Sequence, residues 1–347
     1  MELSELYMAR CIEIARLGLG NVAPNPMVGC VIVSEGKIIG EGFHQIYGGP
    51  HAEVNAVNAV SDKDLLKKSV LYVSLEPCAH YGLTPPCSEL IVEKQIPRIV
   101  IGTVDPFAEV AGKGIEKLRK AGVEVTVGVL EKECRELNRR FFTYHEKKRP
   151  YVILKWAQTT DGYIDMDRNR KDLGTPTWIT GDLALRLVHK IRAEEDAILV
   201  GTNTAEKDNP SLTVRHWSGK NPLRAVIDKE LRLKPSLNLF DGMAESLIFN
   251  SRIEKKDNSN TWKKIDFDKE IISQVLQIFH QQKVLSLIVE GGRQLLESFI
   301  DLGLWDEIHV YTGNIFFTGG IRAPQVAGKL AFEEWLDSDH LQIFRNF

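Results

Sequence analysis

Residues 50–53 read Pro-His-Ala-Glu, and residues 76–87 read Glu-Pro-Cys-Ala-His-Tyr-Gly-Leu-Thr-Pro-Pro-Cys. His51, Cys78 and Cys87 offer one imidazole and two thiolates, the three protein ligands that a catalytic zinc ion takes when its fourth position stays open for water. Glu53 lies two residues from the histidine and remains free to move protons. The two stretches therefore predict an open zinc centre with a carboxylate beside it.

One histidine, two cysteines and a nearby glutamate that is not a ligand form the general pattern of zinc deaminases. In such a site the metal lowers the pKa of its bound water toward about 7, and the glutamate takes the released proton. The alternative is a closed structural site, which needs a fourth protein ligand. His44 and His80 are the nearest candidates for that fourth ligand.

Length and composition limit the classes of protein to consider. The chain has 347 residues, 43% of them apolar and 26% charged, which is typical of a globular protein with two domains of ordinary size. Its 44 Lys and Arg against 47 Asp and Glu give a net charge of -3, without the basic excess expected of a nucleic-acid-binding protein. The N-terminus lacks the pattern of a signal peptide, and no apolar run reaches membrane-spanning length. We expect a cytoplasmic protein with no nucleic-acid or membrane partner.

The remaining three cysteines, Cys11, Cys30 and Cys134, lie in apolar segments, where packing in a core is the expected role. Five cysteines are an odd number and a poor disulfide framework. They fit a reducing compartment, in which thiolates can bind zinc.

The charged run His145–Pro150 ends in a proline, which suits a domain edge. We therefore predict one domain over 1–147 and a second over 148–347. In the first, a helix and a hairpin are followed by alternating strands and helices, which predicts an α/β sheet covered on both faces. Residues 131–142 read as a single helix in this pattern.

The metal ligands fall at predicted helix starts. Pro50 suits the first position of a helix, so His51 and Glu53 are expected in its first turn. Cys87 follows two prolines and precedes the next predicted helix. A helix N-terminus carries the positive end of the dipole, which favours a thiolate there.

In the second half, the apolar strand Leu285–Glu290 runs into Gly291-Gly292 and then into an amphipathic helix from Gln294 to Leu302. A glycine pair at this turn lets a phosphate approach the backbone N–H groups at the helix start. The dinucleotide fingerprint with glycines at its first, third and sixth positions is absent, which argues against a standard Rossmann domain.

Several motifs of the first half, in order, resemble the deaminase half of the bifunctional deaminase/reductase family of riboflavin biosynthesis. They are Asn25-Pro26-x-Val28-Gly29, His51-Ala52-Glu53, Glu76-Pro77-Cys78, Thr84-Pro85-Pro86-Cys87, and Asp105-Pro106 with Val110-Ala111-Gly112-x-Gly114. The resemblance implies a cytidine-deaminase-like three-layer fold that acts on a phosphoribosylated diaminopyrimidinone. It makes His51, Cys78 and Cys87 the zinc ligands, Glu53 the proton shuttle and Asn25 a substrate-binding residue. Asn25-Pro26 could equally form only a turn, and residues 79–86 are either a loop over the substrate or a plain connector.

The second half resembles the same family's reductase domain. The motifs are Leu154-Lys155 with Asp161-Gly162, Trp178-Ile179-Thr180, Asp208-x-Pro210-x-Leu212-Thr213-x-Arg215, Val226-Ile227-Asp228 and Val289-Glu290-Gly291-Gly292. The resemblance implies a dihydrofolate-reductase-like fold that uses NADPH to reduce the ribosyl group to ribityl. The cofactor-binding residues that it implies are Ala157, Trp178, Thr204, Asp208, Gly292, Arg293, Gln294, Leu295, Leu296, Glu297 and Ser298. The substrate-binding residues that it implies are Arg192, Leu212, Arg215 and Glu290. Arginine suits a phosphate because its fork donates two aligned hydrogen bonds.

Two features depart from the family's pattern. Thr175-Pro176-Thr177 places a proline where the family has a small hydroxyl residue that contacts the substrate. The chain also stops at Phe347, where the reductase domain would form its final strand, so we expect that strand to be missing.

Two other functions remain open from the sequence. One is a nucleic-acid or nucleoside zinc deaminase with a non-reductase binding domain at its C-terminus, although the nearly neutral charge argues against it. The other is a non-catalytic module stabilised by zinc. For a metabolic enzyme of this kind we expect a homo-oligomer that acts on a small phosphorylated pyrimidine.

Overall fold

A computed structural model of the chain describes residues 2–81, 85–107, 111–168, 174 and 177–346. Thr84, Val110, Thr175 and Pro176, which belong to motifs quoted above, lie outside these residues, as does the middle of the 79–86 segment. Contacts within the chain divide it into two units, Met1–Lys148 and Arg149–Phe347. The charged run at the division is not an extended linker, because a helix continues through Lys147.

The first unit is built on a five-stranded sheet with the order β2-β1-β3-β4-β5. Its strands are β1 Gly29–Ser34, β2 Lys37–Phe43, β3 Val70–Leu75, β4 Arg98–Thr103 and β5 Glu124–Val127. Its helices are α1 Leu3–Ala15, α2 Ala52–Ala59, α3 Cys87–Glu93, α4 Lys113–Lys120, α5 Glu131–Leu137 and α6 Arg139–Lys147. Strand β1 is antiparallel to β2 and β3, whereas β3, β4 and β5 run parallel.

Helices cover both faces of this sheet, because successive residues of each buried strand point to opposite sides. Cys30 and Ile32 of β1 pack with α2, α3 and α4 in one core. Val31 and Val33 of the same strand pack with α1 and α5 in another, which also holds Cys11 and Cys134. The three-layer arrangement that the resemblance implied is present.

The single helix expected over 131–142 is in fact two helices, which meet at Asn138. The side chain of Asn138 accepts a hydrogen bond from Met27 N and donates one to Met27 O, both at 2.8 Å. This reciprocal pairing ties Asn138 to a chain segment 111 residues away, which no local pattern could predict.

The second unit is built on a ten-stranded sheet with the order β11-β12-β10-β9-β8-β13-β6-β14-β17-β16. Its strands are β6 Tyr151–Thr159, β8 Ala197–Gly201, β9 Leu223–Ile227, β10 Ser246–Asn250, β11 Lys255–Asp257, β12 Asn260–Lys264, β13 Ser286–Val289, β14 Glu307–Gly313, β16 Lys329–Leu336 and β17 Asp339–Arg345. A second, two-stranded sheet pairs β7 Tyr163–Asp165 with β15 Ile321–Arg322. The helices are α7 Asp182–Glu194, α8 Thr202–Asp208, α9 Ile271–Gln281 and α10 Arg293–Asp301.

The centre of the large sheet is parallel, and α9 and α10 cover one face while α7 and α8 cover the other. Strands β9, β8, β13, β6 and β14 run parallel to their neighbours. Phe279 of α9 and Phe299 of α10 are fully buried in the larger core. Because these five strands are parallel, their carboxyl ends meet at one edge of the sheet, where ligands of open parallel sheets bind.

The expectation that a final strand is missing is wrong. Strand β17 pairs antiparallel with β14, and β16 pairs with β17 at the edge of the sheet. The first seven residues of β16 are exposed, so the strand lacks the apolar alternation that reveals a half-buried strand in a sequence. No helix among the described residues is long and apolar enough to cross a membrane.

Candidate active sites

The first unit brings the three expected zinc ligands together. His51 Nδ1 lies 3.3 Å from Cys87 Sγ and 3.6 Å from Cys78 Sγ. The ligand atoms of all three residues lie within 4.8 Å of one another. Their sequence separations of 27 and nine residues are closed by the fold, because Cys78 follows the end of β3 and Cys87 begins α3.

The local structure around His51 differs in one respect from the expectation. Helix α2 begins at Ala52, and His51 is its N-cap with an extended backbone, so Pro50 is not the first helical residue. The extended conformation turns the imidazole away from the helix toward the cysteines. Glu53 remains in the first turn, as expected.

The electrostatics favour a thiolate at Cys78, whereas the hydrogen bond with Cys78 and burial raise the pKa of the Cys87 thiol. Hydrogen bonds from Cys87 and His51 hold the pKa of the Cys78 thiol down to about 4, although burial opposes this. The backbone N–H of Cys87, at the start of α3, donates to Cys78 Sγ over 3.3 Å. A helix start next to a thiolate is a favourable arrangement, because the first N–H groups have no partner within the helix and the dipole is positive there.

Neither candidate for a fourth ligand joins the group. Both ring nitrogens of His44 are engaged, Nε2 with Asn25 Nδ2 at 3.1 Å and Nδ1 with Pro50 O at 3.0 Å. The ring of His80 lies edge-on to Phe107, with centroids 6.4 Å apart. Among the described residues, the group that could hold a metal therefore has three members, which is the donor set of an open zinc site.

Glu53 is buried beside this group, with 3% of its surface exposed. Burial raises the pKa of its carboxyl group, and the carboxyl is within hydrogen-bonding reach of Cys87. A carboxyl group that holds a proton more readily than usual is suited to receive a proton and return it. Asn25 reaches the same region through His44, whose ring centroid lies 5.5 Å from that of His51.

A second buried carboxylate, Glu76, fixes the shape of the loop that carries Cys78. Glu76 is 4% exposed and accepts four backbone hydrogen bonds. The donors are the N–H groups of Asp105, Gly112, Gly114 and Ile115, at 3.3, 2.9, 2.9 and 3.2 Å. A Cβ on Gly114 would lie 2.0 Å from Pro77 O, so only glycine allows this approach. The Glu76-Pro77-Cys78 motif is thus a backbone clamp that also carries Cys78, one of the three expected ligands.

In the second unit, a cavity of about 1060 Å³ lies at the carboxyl ends of the parallel strands. Most of the residues that the resemblance assigned to the cofactor line it, namely Ala157, Thr204, Asp208 and Gly292–Ser298. Gly291 has a φ of +87°, and a Cβ on Gly292 would lie 3.3 Å from Thr204 Oγ1. The turn before α10 can therefore be approached closely by a ligand phosphate, which makes the cavity a suitable site for a dinucleotide.

Trp178 and Leu212 are placed differently from the expectation. Trp178 does not line the cavity, and its side chain is 62% exposed, whereas its neighbours Thr177 and Ile179 do line it. Leu212 is 2% exposed and its side chain packs in a core below the sheet's C-terminal edge. A contact from Leu212 to a ligand could come only from its backbone, which has a positive φ of 54°.

Three charged residues meet at the β6 and β13 end of the cavity. Arg192 pairs with Glu290 through two hydrogen bonds of 3.2 and 2.7 Å, and both side chains are about nine-tenths buried. Burial opposes ionisation of Glu290, but Arg192 and Lys155 outweigh it and hold the pKa of its carboxyl at about 2. Burial also lowers the pKa of the Lys155 ammonium group. Glu290 is therefore a carboxylate with two cations around it.

Arg215 joins this group through His189 of α7. The N–H of Arg215 donates to His189 Nδ1 over 3.1 Å, and its guanidinium donates to Thr213 Oγ1 over the same distance. Burial, with the charges of Arg192 and Arg215, lowers the pKa of His189 to about 4, so the ring is neutral at pH 7. The two arginines expected to bind substrate thus lie near Glu290.

Several residues of these sites had no role assigned from the sequence. Lys155 carried a signal, because it is the one charged residue in the buried run Tyr151–Trp156. His44 was considered only as a fourth metal ligand and Glu76 only as part of its motif, and His189 carried no signal, since the roles of all three depend on contacts with distant segments. Arg168, which bridges Asp165 at 2.7 Å and Asp208 at 2.6 Å beside the cavity, also went unnoticed.

Each of the two units matches a known protein family. Residues 1–103 match the cytidine and deoxycytidylate deaminase zinc-binding region, and residues 150–345 match the RibD C-terminal domain. The second match alone covers more than half of the chain.

Curated relatives and solved structures agree with this assignment. The riboflavin biosynthesis protein RibD of Bacillus amyloliquefaciens is 40% identical over 349 residues, covering 98% of this chain and 92% of the relative. That of Aquifex aeolicus is 41% identical over 318 residues, covering 89% and 86%. The crystal structure of the deaminase/reductase from Thermotoga maritima has a TM-score of 0.88 at 37% identity, covering 99% of this chain and 98% of that one. The RibD of Acinetobacter baumannii has a TM-score of 0.89 at 32% identity over the same shares. This chain belongs to the RibD family of bifunctional riboflavin biosynthesis proteins.

Proposed function

We propose that this chain catalyses two successive steps of riboflavin biosynthesis, with residues 1–147 acting as a zinc-dependent deaminase and residues 148–347 as an NADPH-dependent reductase. Its substrate is the phosphoribosylated diaminopyrimidinone after which the Thermotoga maritima deaminase/reductase is named. The observation that carries the proposal is the convergence of His51, Cys78 and Cys87 beside the buried Glu53. In the second unit the cavity before α10 carries it.

In the deaminase unit we assign His51, Cys78 and Cys87 as ligands of zinc. When bound, zinc supplies a Lewis acid that lowers the pKa of water toward about 7. Glu53 accepts a proton from the attacking water at a carboxylate oxygen and returns it to the ring nitrogen next to the amine-bearing carbon. Glu53 then takes the proton of the newly added hydroxyl group and passes it to the amine; the carbon–nitrogen bond breaks, the oxo group forms and ammonia leaves. Asn25, held by His44, binds the substrate.

In the reductase unit Arg192 and Arg215 bind the substrate's phosphate, and Glu290 holds its ribose. When bound in the cavity, NADPH would supply the hydride for opening the ribosyl group to ribityl. The reduction also consumes one proton. Lys155 lines the cavity with Glu290 and has a lowered pKa, so we propose its ammonium group as the donor.

A coupled assay tests both activities. The diaminopyrimidinone phosphate should release ammonia without cofactor, and NADPH added afterwards should be oxidised in a ratio of one to one with the ammonia. Lys155→Met should retain ammonia release and lose NADPH oxidation. Oxidation of NADPH without any ammonia release would contradict the order of the two steps, and no ammonia release from the zinc-loaded protein would contradict the deaminase assignment.

The proposal also covers the location, the oligomeric state and the class of substrate of the protein. We propose a cytoplasmic homo-oligomer that acts on small molecules and not on nucleic acid. The alternative of a nucleoside or nucleic-acid deaminase with a non-reductase C-terminal domain has no observation in its favour, and the match of residues 150–345 to the RibD C-terminal domain speaks against it.

A further inference from the structure

The loop that carries Arg215 lies along one side of α7. This loop, residues 209–222, connects α8 to β9. A Cβ on Gly219 would lie 2.6 Å from the Cβ of Ala193 in α7, so the loop backbone runs directly against the helix. Four residues earlier in α7, His189 makes a hydrogen bond to the backbone of Arg215. The path of the loop is therefore set by α7.

His189 makes this contact with one particular ring nitrogen. Its Nδ1 accepts the N–H of Arg215 over 3.1 Å. A ring nitrogen accepts only when it carries no proton, so the neutral ring must hold its proton on Nε2. His189 is fully buried, and its Nε2 has no hydrogen-bond partner among the described residues. The bond to Arg215 is thus the polar contact that the buried ring makes in the part of the chain that is described.

The surroundings of His189 keep the ring neutral. The charged and titratable groups that face it are Arg192 of α7, Arg215 and His216 of the loop, and Glu290 after β13. Burial and the neighbouring positive charges lower the pKa of His189 to about 4, although Glu290 opposes this. The ring of His216 lies edge-on to it, with centroids 4.8 Å apart. Nδ1 is therefore an acceptor at pH 7.

Helix α7 also carries the other arginine of the phosphate site. Arg192 lies three residues after His189, which places both side chains on the same side of the helix. Arg192 is fixed through its own guanidinium, which pairs with Glu290 at 3.2 and 2.7 Å. Arg215 has an exposed side chain and is fixed through its backbone. Neighbouring positions of one helix thus hold both arginines.

We infer that His189 is a positioning residue, which holds Arg215 in place for the substrate's phosphate by accepting its backbone N–H at Nδ1. The inference rests on the proposed reductase function, in which Arg192 and Arg215 bind that phosphate. His189 does not line the cavity, so it acts through Arg215 alone. Without the acceptor, the N–H of Arg215 loses its partner and the guanidinium is held less firmly at the phosphate. The KM for the substrate of the reductase should then rise, whereas the hydride transfer itself should be unaffected.

Two amide substitutions separate the acceptor from the size and polarity of the side chain. In His189→Asn the amide oxygen can take the position of Nδ1, because both atoms are bonded to Cγ. In His189→Gln the amide lies one carbon further out, toward the position of Nε2. NADPH oxidation is measured against the concentration of the deaminated intermediate, which the chain makes beforehand without NADPH. His189→Gln should raise KM about 10-fold with kcat within about 2-fold of the wild type, and His189→Asn should keep KM within about 3-fold.

Two other measurements exclude a general defect of the protein. Ammonia release and the affinity for NADP+, measured by calorimetry, should be the same in both variants as in the wild type. Weaker binding of NADP+ in parallel with the rise in KM would overturn the inference, because a structural role in the whole unit would then explain both. So would an unchanged KM in His189→Gln, or an equal rise in the two variants.

Arg215→Ala separates this inference from the proposed function. It should raise KM at least as much as His189→Gln. An unchanged KM in Arg215→Ala would contradict the assignment of Arg215 to the phosphate, and the inference with it. A raised KM in Arg215→Ala without any effect of His189→Gln would overturn the inference alone.

The protonation of the ring can be observed directly. Nitrogen NMR of the full chain with labelled histidines should show His189 at pH 7 as a neutral ring with its proton on Nε2. Its signal is identified by its absence from the spectrum of His189→Asn. A charged ring, or a proton on Nδ1, would overturn the inference, because Nδ1 could then not accept the N–H of Arg215.

Discussion

Replacing Glu290 by glutamine should destabilise the second unit strongly and in a pH-dependent way. The carboxylate is buried between Arg192 and Lys155, and its removal leaves Arg192 without a counter-charge in a site where the arginine side chain is only 10% exposed. Breaking one partner of a buried ion pair typically costs about 3–5 kcal/mol. The substitution keeps the size of the side chain, so it tests the charge and not the packing.

The lowered pKa of Glu290 gives a second, independent value for the stability that its charge contributes. The pKa of Glu290 falls from 4.5 to about 2 on folding, and each unit corresponds to about 1.36 kcal/mol, which makes about 3 kcal/mol at pH 7. Since the folded pKa is depressed, this stability is fully present above pH 4.5 and disappears as the pH falls toward 2. The same linkage leaves about 1.4 kcal/mol at pH 3.

Tryptophan fluorescence can report the unfolding of the second unit. All six tryptophans of the chain lie between Trp156 and Trp335, so tryptophan fluorescence follows the second unit alone. Urea unfolding at pH 7 should show the midpoint of Glu290→Gln lowered by about 1–1.5 M, for an m-value of about 2–3 kcal/mol/M. The difference from the wild type should shrink by about half at pH 3.

Glu230→Gln is the control, because Glu230 pairs with Arg252 at the surface, where both side chains are at least half exposed. That variant should unfold within about 0.5 kcal/mol of the wild type. A Glu290→Gln protein with an unchanged midpoint would refute the reasoning. So would a difference that stays the same size from pH 7 to pH 3.

Three further outcomes are expected in the first unit. Glu53→Gln should keep zinc but lower ammonia release about 100- to 10,000-fold, measured together with zinc content, and parallel loss of metal would contradict its role as a proton carrier. Cys87→Ala should bind zinc much more weakly because it leaves two ligands, and full occupancy after dialysis against a weak chelator would argue against the three-ligand site. Gly114→Ala should unfold at least about 2 kcal/mol more easily than the wild type, since its Cβ would lie 2.0 Å from Pro77 O, and an unchanged unfolding curve would show that the clamp tolerates a shift.

The candidate metal group could be singled out from the sequence because ligand chemistry restricts zinc to few residue types. His51, Cys78 and Cys87 needed no knowledge of the fold to be singled out, and their convergence follows from the ends of β3 and the starts of α2 and α3. The family resemblance and the predicted α/β fold, with helices on both faces of the sheet, agree with the family matches. The assignments of single residues to substrate and cofactor remain predictions.

What the sequence could not show depends on pairings between distant segments. Strand β16 has no apolar alternation, and its place is set by β17. Asn138 breaks a helix because of Met27, and the buried carboxylate of Asp228 accepts the N–H groups of Arg232 and Leu233 in the turn after β9. Leu212 and Trp178 belong to two motifs that the resemblance assigns to ligand binding. The side chain of Leu212 packs in the core, and that of Trp178 is exposed outside the cavity. Periodicity reports which residues are buried, and not which neighbours they meet.

The hydrogen bonds to Glu76 set a minimum length for any fragment that is meant to fold alone around the candidate zinc site. The zinc-binding region recognised by family comparison ends at residue 103. The N–H groups that hold Glu76, however, belong to residues as far along the chain as Ile115, which lies 39 positions after Glu76. A fragment cut at residue 103 would contain the three proposed metal ligands but would remove all four N–H donors from the buried carboxylate of Glu76. Any minimal version of the centre for protein engineering must therefore extend at least through the first turn of α4.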